Sequence, residues 1–158
     1  MNGAYSTAAA TAAVDRFQAL YAPEMAEHIR RWRAPGSVGQ WQGQVQALRV
    51  FAARRPDAMK RQLEAMFAVK RAKLAMEWEP SGGSVALNSL KLAGGVHALD
   101  YFASVPIRLE AAAAPGYRFA GWDVAEAGAA VRREAGPELV LILSGDASVR
   151  PVFEAAGR

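Results

Sequence analysis

The 158-residue chain is 52% hydrophobic and 22% charged, with a formal net charge of +4 and no cysteine. The apolar fraction excludes a wholly disordered chain, and the length suits one medium domain or two very small ones. The missing cysteines exclude disulfides, thiolate metal sites and a cysteine nucleophile. No run reaches the roughly 18–20 apolar residues of a membrane span. The alanine-rich start is broken by Asp15 and Arg16 without a preceding basic stretch, so it does not read as a secretory signal.

The first half holds the positive charge. Residues 1–79 carry 12 Lys and Arg against 7 Asp and Glu, whereas residues 80–158 carry 7 against 8. An excess spread over helix faces is weak support for a nucleic-acid or anionic-surface partner, and solvated faces account for it.

In chain order, apolar residues first recur at helical spacing. Val14, Phe17 and Tyr21 define a first helix among alanines. Pro23 fits the first turn of a second, with Met25, Ile29 and Trp32 as its buried stripe, ended by Pro35 and Gly36. Ser37 and Gln40 have the spacing of a capping box, predicting a third helix with Val38, Trp41, Val45, Leu48 and Phe51 or Ala52 as its stripe. Pro56 ends that helix and opens a fourth, lined by Met59, Leu63, Met66 and Phe67.

Near Val69 the period changes from helical to two. Ala72, Leu74, Met76 and Trp78 alternate with Arg71, Lys73, Glu77 and Glu79, as in a half-buried strand. Glycines at 82–83 and 94–95 mark turns, with a second strand beginning at Val85 and Leu87. Val105 to Ala111 alternates again, and Pro106 assigns it an edge or strand-start position. Tyr117 to Val124, Leu139 to Leu143 and Ser148 to Phe153 complete the strands. The run at Leu139 is apolar on both faces and is therefore expected to be central in its sheet. Helices followed by strands make the chain α+β, with the expected units at residues 1–68 and 69–158.

Candidate chemistry is sparse. Glu24 and His28 lie four apart on a helix, but a metal needs more ligands, and a surface ion pair is the expected arrangement. His28 and His97 do not form a triad pattern with any serine, and the carboxylates are scattered. The glycine pairs lack the lysine and hydroxyl of a phosphate loop. Trp32 and Trp41 are expected in the core; Trp122, near a strand end beside a loop, is open to either reading. No catalytic, cofactor-binding or metal-binding residue is assigned.

The run from Pro23 to Trp32 (PEMAEHIRRW), followed by Ser37, Trp41, Val45, Leu48, Phe51-Ala52, Arg55-Pro56 and Leu63, resembles the C-terminal end of the CotH family of spore-coat protein kinases, over about Ala8 to Phe67. The resemblance implies the last helices of a kinase-like domain. The family's nucleotide-binding and catalytic motifs lie upstream of this region and none occurs here, so no kinase role attaches to any residue. Gly83-Ser84-Val85, Tyr101-Phe102, Val105 to Leu109, Ala114 to Trp122 (APGYRFAGW) and Val149 to Phe153 resemble divergent internalin B-repeat modules. That resemblance implies a small, mostly antiparallel, β-grasp-like and non-catalytic spacer or adhesive element. Within its core, Gly116 serves a turn begun by Pro115, and Gly121 permits close passage before Trp122 covers the sheet edge.

Together these resemblances imply a non-catalytic C-terminal part of a CotH-like bacterial surface or secreted protein, with a structural or interaction role. A Met1 inside a family domain suggests a split gene, a short gene model or a truncated product. The expected partner is an upstream kinase-like polypeptide, or a second copy through exposed helical faces. One alternative is an accessory part of a CotH-type kinase acting with a separate catalytic piece. Another is a weak binder of nucleic acid or anionic surfaces through Arg30, Arg31, Arg33, Arg54, Arg55, Lys60 and Arg61. Nucleic acid is not the expected partner.

Overall fold

A computed structural model describes Gly3 and residues 6–126 and 129–157. The chain is α+β, with two helices followed by nine strands among the described residues. It divides into two compact units between Leu63 and Glu64.

Helix α1 spans Thr7–Trp32 and α2 spans Val38–Phe67. The expected four helices are therefore two. Pro23 and Pro56 lie inside them rather than at their starts. A proline removes one backbone hydrogen bond and costs about 3 kcal/mol in a helix interior. Strong helix formers on both sides offset that cost, with Ala19, Leu20, Ala22 and Met25 around Pro23 and Ala52, Ala53, Ala58 and Met59 around Pro56. Charged pairs one turn apart, Arg30 with Glu27 and Arg61 with Asp57, add to the segments beyond each proline.

The break between the helices falls where the sequence places it. Arg33 adopts a left-handed conformation, its N–H donating to the Ile29 carbonyl at 2.9 Å. The Ser37 hydroxyl accepts from the Gln40 N–H at 3.1 Å, while the Gln40 side chain reaches the Gly36 N–H at 2.6 Å, one residue before the expected Ser37 N–H.

Strands β1 (Arg71–Trp78), β4 (Gly95–Phe102), β6 (Tyr117–Glu126), β7 (Arg132–Glu134) and β9 (Ala147–Ala155) form one sheet in the order β4-β1-β9-β6-β7. Strands β2 (Gly83–Leu87), β3 (Leu90–Leu92), β5 (Pro106–Ala113) and β8 (Glu138–Ile142) form a second, ordered β3-β2-β5-β8. The pairings are antiparallel except β1 with β9, which is parallel. Both sheets bury their inner faces in one core that includes Leu74, Met76, Trp122 and Val149 from the first and Leu87, Ile107, Leu109 and Leu141 from the second. Two sheets sharing one core are a sandwich. A β-grasp needs a helix laid across its sheet; the described residues of this unit have none beyond the end of α2, and the unit is corrected accordingly.

β1 alternates as expected, with Ala72, Leu74, Met76 and Trp78 all buried. Pro106 is the first residue of β5, where its missing N–H costs no ladder bond. The run at Leu139 departs from expectation: β8 is an edge strand, paired among the described residues with β5 alone. Leu139 and Leu141 face the core, whereas Val140 and Ile142 are exposed.

The G-Y-x-F-x-G-W segment folds as its residues require. Gly116 has a φ of 83°, and the Tyr117 N–H closes the turn onto the Ala114 carbonyl at 3.0 Å. Gly121 sits at a bulge between β6 and β9 with a φ of 132°; a Cβ there would lie 2.8 Å from the Glu134 carbonyl oxygen. Trp122 does not cover an edge. It is fully buried between β9 and β7, its indole N–H donating to the Gly136 carbonyl at 3.1 Å. Phe119 packs edge-on against Trp122 and Phe153, with ring centroids 5.1 and 5.7 Å apart.

Candidate functional site

The helical unit carries the largest departure from an ordinary core. Only Val45 and Ala52 are buried among the described residues of α1 and α2. Helical spacing puts Phe17, Leu48, Phe51 and Trp32 on apolar faces, yet Leu48 is 55% exposed, Phe51 60% and Trp32 63%. Trp41, Met25 and Ile29 are half-buried. The expectation that Trp32 sits in a core is therefore corrected. Periodicity decides which residues share a face, but burial needs something packed on that face.

The two helices meet through polar as well as apolar groups. The Arg49 guanidinium on α2 reaches the Asp15 carboxylate on α1 at 2.7 Å and also donates to the Gln18 side chain. Nearby, Ala10 and Val14 of α1 face Leu48, Phe51, Ala52 and Met59 of α2 across a groove of about 490 Å³. Arg55 lies at this groove with its guanidinium over the Phe51 ring, 5.8 Å from the centroid. Among the described residues that line it, Arg55 is the one charged side chain and the others are apolar, which suits an apolar side chain of a partner.

A second cleft, about 500 Å³, lies in the β unit beside Trp78, Pro80, Tyr117, Arg150 and Phe153. The Trp78 indole N–H is committed to the Gly83 carbonyl at 3.0 Å. The Tyr117 hydroxyl donates to Ser81 Oγ at 3.4 Å. The His97 ring lies 5.1 Å from the Trp78 ring and tilted 35° to it, and shares a hydrogen bond with the Ala93 carbonyl at 2.8 Å.

The other residues singled out in the sequence are dispersed. His28 Nε2 bonds the Ala34 carbonyl at 2.9 Å and so secures the end of α1. Among the described residues, no group of three or more His, Asp or Glu is placed to hold a metal. Ser6 and Ser37 cap helices, Ser81 meets Tyr117 and Ser144 donates to Glu126; none of these bonds involves a histidine. Of the basic residues, Arg30 and Arg61 pair with carboxylates on their own helices, while Arg31 and Arg55 lie over aromatic rings. The glycines at 82–83 form the turn after β1 and the start of β2, with the Gly82 N–H on the Glu79 carbonyl.

Among the described residues, the titration shifts fall on ion pairs at the surface, with Glu126 half-buried. Bonds from Arg132 and then Ser144 hold the Glu126 carboxyl below its ordinary range, and the same contact raises Arg132. The hydrogen bond to Glu27 raises Arg30. None of these groups lines either cavity.

No described helix is long and apolar enough to cross a membrane. Compared with known proteins, the chain matches no family model, no curated protein and no solved structure.

Proposed function

We propose that this chain is a non-catalytic interaction element, in which the helical unit docks onto another polypeptide and the β sandwich serves as a spacer or adhesive module. One observation carries the reading: the contrast in burial between the two units. The sandwich encloses a continuous core with Trp122, Leu74, Ile107 and Leu109 fully buried. The helices bury only Val45 and Ala52 while leaving Phe17, Leu48, Phe51 and Trp32 open. The groove between Val14 and Phe51 is the place for the missing apolar contacts.

The resemblance of PEMAEHIRRW and the following helix to the end of the CotH family supplies the partner: a kinase-like domain whose helices cover these faces. In that role the chain contributes packing surface and leaves phosphate transfer to the polypeptide it joins. The APGYRFAGW segment, on the same reasoning, belongs to a surface-exposed repeat of a bacterial protein.

The test is to mix the purified chain with a CotH-type kinase-like domain lacking its own last helices, and to measure binding by calorimetry. Binding that is lost in Leu48→Glu and Phe51→Glu supports the reading. No binding, or phosphate transfer from ATP by the chain alone after rigorous purification, overturns it.

A further inference from the structure

Strand β8 departs from the way the other sheet edges are built. β3 and β7 are edge strands of three residues each, and β7 carries Arg132 and Arg133. β4 is longer and leaves Val96 exposed, but carries His97 and Asp100. Short strands and charged side chains are the usual protection against edge-to-edge pairing. β8, Glu138–Ile142, has five residues and lacks proline and lysine; its exposed face carries Glu138, which is paired with Arg108, followed by Val140 and Ile142.

The register fixes which backbone groups are open. The Ala111 N–H donates to the Pro137 carbonyl, and Leu109 pairs with Leu139 and Ile107 with Leu141. Bonding alternates along an antiparallel pair, so the odd-numbered groups of β8 turn toward β5. The N–H and C=O groups of Glu138, Val140 and Ile142 turn to the open side.

We propose that β8 is the contact strand of a symmetric dimer, in which two copies of this chain pair antiparallel about Val140. In that register Glu138 opposes Ile142 of the other copy, and Val140 opposes its own counterpart. Every outward-turned backbone group then has a mate. Leu139 meets Leu141 across the junction on the inner face, continuing one core toward the other. The two Glu138 carboxylates fall at opposite ends of the junction, and each is already paired with Arg108 at 3.0 Å, so the charge does not oppose association. Two second sheets would join into one, whose remaining ends are the short β3 strands. A two-fold contact of this kind closes on itself and does not propagate.

The absence of cysteine makes a crosslinking test clean. In the full chain, Val140→Cys is compared under mild oxidation with Ser148→Cys, which is exposed on β9 of the other sheet. Hydrogen-bonded antiparallel partners have Cα atoms about 5.5 Å apart, within disulfide reach. Val140→Cys is expected to form covalent dimer at least tenfold faster than Ser148→Cys. An equimolar mixture of Glu138→Cys and Ile142→Cys chains is expected to crosslink well above either alone, which reads the register directly. The same experiment in a Phe51→Glu background is expected to give the same result, since the helical groove has no part in it. Equal rates for Val140→Cys and Ser148→Cys, or no gain on mixing the Glu138→Cys and Ile142→Cys chains, would overturn the proposal.

Discussion

Arg49 and Asp15 meet at 2.7 Å, joining α2 to α1 beside an apolar groove. The pair is partly exposed, with side chains 29% and 52% accessible, which limits its contribution to about 1 kcal/mol or less. Arg49→Ala also removes the donor to Gln18. The expected result is a looser helical unit, seen as faster amide exchange on both helices, with the melting of the sandwich unchanged. An equal loss of protection in the β strands would contradict this.

Trp122 anchors the sandwich by volume and by one hydrogen bond. Trp122→Ala is expected to cost about 3–5 kcal/mol, as large aromatic deletions in closed cores do. Trp122→Phe keeps most of the packing but leaves the Gly136 carbonyl without its donor. Its expected cost is smaller, about 1–3 kcal/mol. Chemical denaturation followed by circular dichroism in the strand region measures both.

Gly121→Ala is expected to destabilise the sandwich although it adds only a methyl group. The φ of 132° strains any L side chain, and the new Cβ would press on the Glu134 carbonyl oxygen at 2.8 Å. The cost should exceed the roughly 1 kcal/mol by which an unstrained glycine replacement changes stability. Gly145→Ala is the matched control, because nothing lies within 4 Å of a Cβ there.

Much of this architecture is legible in the sequence, and the misses have physical causes. The change of period at Val69, the Ser37 cap and the alternation of β1 each reflect a local preference that the fold respects. Pro23 and Pro56 mislead because a proline signals a local cost, while the neighbouring helix formers determine whether the helix tolerates it. β4 escapes notice because only Leu99 among its residues is buried and Val96 lies outward, 76% exposed. β7, Arg-Arg-Glu, has no apolar pattern to read. β8 misleads in the opposite sense. Apolar residues on both faces ordinarily mark a central strand, and here they mark an edge left open. The same gap explains the helices: spacing groups Leu48 and Phe51 on a face but carries no information about what covers it.

Glu126 gives the sandwich a defined acid response. Its carboxyl is held below the ordinary glutamate range, first by Arg132 and then by Ser144. A lowered folded-state value means the contribution is complete above the unfolded glutamate value. It fades as pH falls below that point and is gone once pH passes through the folded value. Glu126→Gln should therefore lower stability at neutral pH by about 1 kcal/mol or less and make the acid limb of the stability curve shallower. Thermal melts from pH 7 downward check both parts; parallel curves for the two proteins would contradict the assignment.

The proposed docking role requires that the helical unit lack a complete core of its own. Hydrogen exchange on the full chain at dilution, followed residue by residue, addresses this most directly. The expected result is slow exchange at Leu74, Ile107 and Trp122 in the sandwich and exchange faster by several orders of magnitude along α1 and α2. A monomeric chain whose helices exchange as slowly as the β core would show that Leu48 and Phe51 need no partner, and would contradict the account.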